Sequence, residues 1–261
     1  MDNLGPAFNS LRSRSAYFLL PLTAMAFASA VASAAHAEPQ QGTFVTFDAP
    51  GGGGISSMGI NPAGVVTGTY VIGTSPNFVF YGFLRAPDGT FTTINVPGST
   101  STVVGPGSEP FAGPPINPAG AITGSFVASG ASHGFVRAPD GTFTTVDAPG
   151  AVNGTDFLCC ITPAGAVAGI SFDANGAGHG FLRDHAGAFT EFDPPGSTLT
   201  APTGINPAGA ISGVYFDANG IEHGFLRAGD GTITTFDAPG AINGTQPDGI
   251  NPAGANRRSL F

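Results

Sequence analysis

Three histidines, His133, His179 and His223, recur at one position of a repeated "HGF" segment. Imidazoles at fixed spacing are the usual raw material of a metal centre or a proton relay. Aspartates recur just ahead of a Pro-Gly pair at Asp48, Asp147, Asp193 and Asp237, and Asn95 takes that slot once. A side-chain acceptor that serves as Asp or Asn is doing turn chemistry, because both cap a turn and only one carries charge. Arg85, Arg137, Arg183 and Arg227 recur as well, three of them followed by Asp88, Asp140 and Asp230. A local ion pair is the expectation for those three. Cys159 and Cys160 are adjacent. Neighbouring Cα atoms stand about 3.8 Å apart, under the usual disulfide span of about 4.4–6.8 Å. A buried small-residue role is therefore expected for Cys160, with Cys159 free or linking chains. No HExxH, P-loop or dinucleotide fingerprint is present. The expectation is no catalytic residue, no metal and no cofactor.

These residues are carried by a repeat. "INPAG" begins at Ile60, Ile116, Ile205 and Ile250, with "ITPAG" at Ile161, and "GF[LV]R" begins at Gly82, Gly134, Gly180 and Gly224. One unit is about 44 residues, in the range of a four-stranded propeller blade. The fourth unit shows the pattern: a short strand a running into Ile205, then "AISGVYFD", "HGFLRA" and "TITTFDA" as strands b, c and d. β-Branched and aromatic residues fill these stretches, as strands require. Both faces are apolar, so both must be covered, which blades stacked around an axis achieve. "NPAG" predicts a type I turn between a and b. "PDGT" and "GDGT" predict the c–d hairpin, and "DANG" the b–c hairpin. The fold class expected is all-β and β-propeller-like: four complete four-stranded blades plus a partial fifth, made of an N-terminal strand d from Gly42 and a C-terminal strand a. Equivalent histidines then stand in a wide ring, too far apart to share one ion at about 2 Å.

Spacing adds a functional direction. The a–b separation is constant: Ile60 to Gly68, Ile116 to Gly124, Ile161 to Gly169, Ile205 to Gly213. So is the c–d separation, from Gly82 to Pro97 and its equivalents. The b–c and d–a connections vary, most of all between Pro97 and Ile116. In an antiparallel blade those two connections share one end, so the variation gathers on one face. In repeat folds that face is often the binding face. The candidate contacts are Ser99, Thr100, Val103, Glu109 and Phe111 in the long insertion, with Asn77 and Phe78 in the first b–c loop.

Composition narrows the class. The chain has 41 Gly and 23 Pro, yet it is 41% hydrophobic with 22 Phe, which separates it from disordered Gly/Pro-rich chains. It contains no lysine and carries a formal charge of −9, so a basic track for nucleic acid is absent. Residues 1–37 read as a signal peptide: Arg12 and Arg14, an apolar run, then Ala35 and Ala37 at the cleavage site. The expected organisation is that leader, one repeat domain over residues 38–254, and an irregular tail over residues 255–261. The tail, with Arg257 and Arg258, departs from the repeat, so a truncated coding sequence is expected, with an incomplete ring prone to self-association.

The chain resembles the bacterial HAF family of extracellular repeats. The resemblance rests on "GINPAGVVTG" from Gly59, "GINPAGAISG" from Gly204, and "HGFLR" from His179 and His223, over about residues 43–254. Gly stands where the family has Ala, and Tyr81 replaces His in the first unit. The resemblance implies secretion and a propeller-like array, and carries no catalytic residues. The function expected is a secreted or periplasmic non-catalytic scaffold binding an extracellular glycan or protein on the variable face. No membrane span is expected in the mature chain. The alternatives are a hydrolase or lyase working in the central funnel, and a structural or assembly protein.

Overall fold

The computed structural model describes residues 44–51, 53–105, 113–241 and 244–254, and the strand backbone of Asn256–Leu260. Residues 1–37, expected as a leader, and Glu109 and Phe111 lie outside the described residues. The chain divides into a unit Met1–Val45 and a unit Thr46–Phe261, and the second holds every strand described.

Within it each repeat folds as an antiparallel blade. The first is β1 (Ile55–Ile60), β2 (Val66–Ile72), β3 (Val79–Arg85) and β4 (Phe91–Ile94). The second is β5 (Ser101–Val104), β6 (Ile122–Ala128), β7 (Ala131–Arg137) and β8 (Phe143–Val146). The third is β9 (Thr155–Ile161), β10 (Val167–Phe172), β11 (Gly178–Arg183) and β12 (Phe189–Phe192). The fourth is β13 (Leu199–Ile205), β14 (Ile211–Phe216), β15 (Glu222–Arg227) and β16 (Ile233–Phe236). A parallel pairing of Gly178 with Leu199 joins the third and fourth blades. The architecture is all-β and propeller-like, with separate sheets that do not close into one.

The turns form as their residues dictate. In each NPAG the glycine N–H donates to the Asn carbonyl, 2.9 Å in the first unit, and the Asn61 side chain accepts from Val65 N at 3.0 Å. In "PDGT", Gly89 takes φ +93, where glycine avoids Cβ strain, and Asp88 accepts from Thr90 N at 2.8 Å. The core is divided between blades. Phe83, Phe135, Phe181 and Phe225 of strand c are each almost wholly buried. The glycine before each of them is a socket: a Cβ on Gly82 would meet Val104 at 2.6 Å, and one on Gly134 would meet Leu158 at 2.5 Å. Strand c of one blade therefore receives a side chain from strand a of the next.

Three features differ from the sequence expectation. Asn256–Leu260, expected as an irregular tail, is strand β18, paired antiparallel with β17 (Thr245–Ile250). The NPAG turn returns the chain alongside β17, and backbone groups pair there whatever the side chains. Strand b of the fifth unit is therefore present. The expected N-terminal strand d carries no ladder among the described residues, but Phe47 docks as a strand-d phenylalanine would. Its ring lies 6.1 Å from Phe83 and under Arg85 at 4.9 Å, as Phe192 lies against Phe225 and Arg227 at 5.9 and 5.1 Å.

The third difference concerns the insertion of the second unit. It does not lie in the d–a connection. Strand a begins at Ser101, pairs with β6 through Val104↔Gly124, leaves the ladder, and returns at Ile116↔Ile122. The other innermost strands all shift register at this place, between Ser57 and Gly59, Asp156 and Cys160, Pro202 and Gly204, and Pro247 and Gly249. The described residues on either side of the insertion thus flank the same place on strand a, and beyond it Gly113 N donates to Thr203 O of the fourth blade at 2.6 Å.

Candidate functional site

A cavity of about 490 Å³ sits between the first and second blades. Its walls come from the starts of the a strands (Ile55, Ser56, Ser101, Asp156) and the ends of the b strands (Tyr70, Val71, Phe126, Val127). Phe80 and Ser132, at the starts of the c strands, complete it with Val103 and Ser125. All these strand ends belong to the b–c and d–a side. Antiparallel pairing brings them there together, since β1 begins where β2 ends. Apolar and aromatic walls with a few hydroxyls and one carboxylate suit a small ligand or a side chain of a larger one. Exposed apolar residues continue on the same end: Ile72, Phe78 and Phe80 beside the first b–c loop, Val152 in a d–a turn, Ile221 in the last b–c loop.

The candidate contacts fall into three groups. Val103 lines the cavity. Ser99 and Thr100 hold the d–a turn: Ser99 Oγ donates to Val96 O at 2.7 Å, and Thr100 N donates to Val127 O at 2.8 Å, fixing a cavity wall. Asn77 N donates to Thr74 O at 2.7 Å, so Asn77 shapes the loop that presents the half-exposed Phe78.

The polar repeats resolve into three devices. The histidines stand in separate blades, each pairing with the aspartate of its own blade. Nδ1 of His133 is 3.0 Å from Asp147, Nδ1 of His179 is 2.7 Å from Asp193, and Nδ1 of His223 is 2.8 Å from Asp237. In the third and fourth blades Nε2 also faces the DANG aspartate, 3.8 Å from Asp173 or Asp217. The Asp193 hydrogen bond raises the His179 pKa above the usual imidazole value, against burial, helped by the charges of Asp193, Glu191 and Asp173. Rings cover the histidines of the second and fourth blades, Phe126 on His133 at 5.2 Å and Tyr215 on His223 at 5.0 Å.

The expected Arg–Asp ion pairs are not formed: among the described residues no arginine lies within 4.0 Å of a carboxylate in these turns. Arg85, Arg137 and Arg227 instead donate Nη1 to the next alanine carbonyl at 3.3–3.5 Å. The aspartates are held by the turn itself. Asp88, Asp140 and Asp230 accept from Thr90, Thr142 and Thr232 N–H groups, which lower their pKa values. The arginines are drawn toward carbonyls and rings that the hairpin places nearer.

The third device escaped the sequence. Thr102, Thr155, Thr200 and Thr245, near the start of strand a, are buried and bond the preceding Pro-Gly turn. Thr155 and Thr245 accept from Ala148 N and Ala238 N at 2.9 and 2.8 Å, Thr102 accepts from Val96 N at 3.1 Å, and Thr200 donates to Asp193. The spacing from turn partner to threonine is seven residues in the third, fourth and fifth units and six in the second, the signal the sequence offered.

Near the axis the strand-a bulges crowd together. A Cβ on Gly113 would stand 3.1 Å from Cys160 Cβ and 3.5 Å from Gly204 Cα, and one on Gly204 would stand 3.2 Å from Gly249 Cα. Cys159 and Cys160 are both buried and disulfide-bonded to each other, correcting the expectation of a free or chain-linking Cys159. The extra residues of β9 between Asp156 and Cys160 release the pair from the strand's alternation.

No family model matches the chain, and no curated protein matches it. Among solved structures it is similar to TolB from Acinetobacter baumannii, with 13% identity and a TM-score of 0.50 over 70% of this chain and 43% of that one. It is also similar to Porphyromonas gingivalis dipeptidyl peptidase 4 (10% identity, TM-score 0.44, 70% and 30% covered). A third is virginiamycin B lyase from Staphylococcus aureus (13% identity, TM-score 0.34, 80% and 84% covered). The chain thus spans less than half of the TolB chain. The TolB likeness bears on fold alone, and the fold is β-propeller-like. Among the described residues no helix is long and apolar enough to cross a membrane.

Proposed function

We propose that the chain is a secreted or periplasmic repeat scaffold of HAF type, without catalysis, that binds an extracellular glycan or protein. Binding uses the face carrying the b–c and d–a connections, with the cavity between the first two blades as its recognition pocket. The observation that carries this reading is the cavity's place: most of its wall comes from strand ends on that face, with Thr69 and Ser125 from mid-strand behind them. The exposed Ile72, Phe78 and Phe80 around it supply the apolar contact area that a recognition surface needs. A hydrolase or lyase in the central funnel is disfavoured by backbone packing at the axis, where Gly113 meets Cys160 and Gly204.

The test is a glycan array and a bacterial surface-protein pull-down with the chain and a Val103→Phe variant, which fills the cavity. Binding by the parent, lost in a variant whose far-UV circular dichroism is unchanged, supports the reading. Absence of binding in both formats, or equal binding by the filled variant, overturns it.

A further inference from the structure

We infer that His179, Glu191 and Asp193 of the third blade form a binding site for a zinc-class divalent cation. Their donor atoms lie within 4.8 Å of one another. Zinc bonds imidazole nitrogen and carboxylate oxygen at about 2.0–2.2 Å, so modest side-chain rotations bring all three to one ion. Two carboxylates and an imidazole also discriminate. The nitrogen disfavours calcium and magnesium, which take oxygen ligands, and favours zinc and its first-row neighbours. Three protein ligands leave a position for water or for a donor on a bound partner.

The repeat itself supplies the comparison. His133–Asp147 and His223–Asp237 have the same pairing, 14 residues apart, yet the position of Glu191 is Thr in every other blade: Thr93, Thr145 and Thr235. A second departure meets the same histidine. Where Phe126 and Tyr215 lay a ring on the other two, the cross-strand neighbour of His179 is Ser171, and among the described residues no ring stacks on that imidazole. The third blade thus gains a carboxylate and loses a cover at one residue.

The surroundings orient the ligands as metal sites require. Nδ1 of His179 already stands 2.7 Å from Asp193, and the Asp173 carboxylate lies 3.8 Å from Nε2, adding negative charge around the ring. Asp193 is held in turn by the Thr200 hydroxyl from the next blade.

The test uses the full untagged chain, stripped with EDTA, titrated with Zn²⁺ by calorimetry and with Co²⁺ by visible absorption. One ion per chain is expected. Glu191→Thr restores the residue of the other blades and so keeps the fold, and it should weaken binding at least about tenfold, as should Asp193→Asn. Asp237→Asn, at the equivalent place in the fourth blade, should leave affinity within about twofold. Co²⁺ bound to the parent should show d–d absorption bands that Glu191→Thr loses. No binding by the parent at millimolar metal, or equal binding by Glu191→Thr, overturns the inference.

Discussion

The glycine sockets of strand c make a quantitative prediction. In Gly82→Ala the new methyl would stand 2.6 Å from Val104 Cγ2 and 3.1 Å from Ile94 Cβ, about an ångström inside ordinary contact for the first. Val104 and Ile94 are both buried, at 0% and 1% exposure, and the Thr69 hydroxyl holds Val104 N at 2.9 Å, so the wall has little room to retreat. Overpacking of this kind costs about 1–3 kcal/mol. Alanine returns about 0.4–1 kcal/mol by restricting the unfolded chain, so a net loss of about 1–2 kcal/mol is expected. Val104→Ala alone removes two buried methyls at about 0.8 kcal/mol each and leaves a cavity, for about 2–3 kcal/mol. In the double variant the alanine at 82 occupies the space that Val104 vacates. The two losses should then fail to add, by about 1–2 kcal/mol, well above the roughly 0.5 kcal/mol scatter of independent sites. Urea unfolding followed by far-UV circular dichroism measures this, the chain having no tryptophan. Strictly additive losses, or a neutral Gly82→Ala, would show that the blades are not locked by these sockets.

Further expectations concern the polar devices. Asn206 accepts from Ala208 N and Ala210 N at 3.0 Å and donates to Asn251 O at 3.3 Å, so Asn206→Ala should cost about 1–3 kcal/mol in the same urea assay. Thr155→Val keeps the shape but takes the acceptor from Ala148 N; it should destabilise by about 1–3 kcal/mol, and Thr155→Ser should recover most of the loss. Asp217 has its pKa lowered first by the Ile221 N–H. A lowered carboxylate stabilises above its unfolded value of about 3.9, and that contribution fades as pH falls through the lower folded value. Asp217→Asn should therefore reduce the melting temperature at pH 6, and the difference should shrink as pH falls below about 3.9; a constant difference would refute the assignment.

Much of the blade was legible because its cues are local. NPAG, PDGT and DANG name their own turns, and the alternation between them names the strands. The His–Asp pairs were legible in principle. A c–d hairpin that sets Arg137 opposite Phe143 sets Gly134 opposite Val146, and so brings His133 beside Asp147. The place of the insertion is legible in the same way: the β-branched run of Ser101–Val104 marks strand a starting before the extra length, not after it. Strand β18 had no side-chain cue, since pairing with β17 depends on backbone groups that every sequence carries. The cavity belongs to neither list. Its walls come from three blades, and nothing in a 44-residue period states how neighbouring blades meet.

The shared register slip in the innermost strands turns the hub into a splice point. A chain diversifying at its rim alters only what faces solvent; one that adds residues at this slip, as the second unit does between Val104 and Ile116, leaves the outer hairpins in register. Duplicated blades could in this way acquire separate interiors while presenting one common exterior.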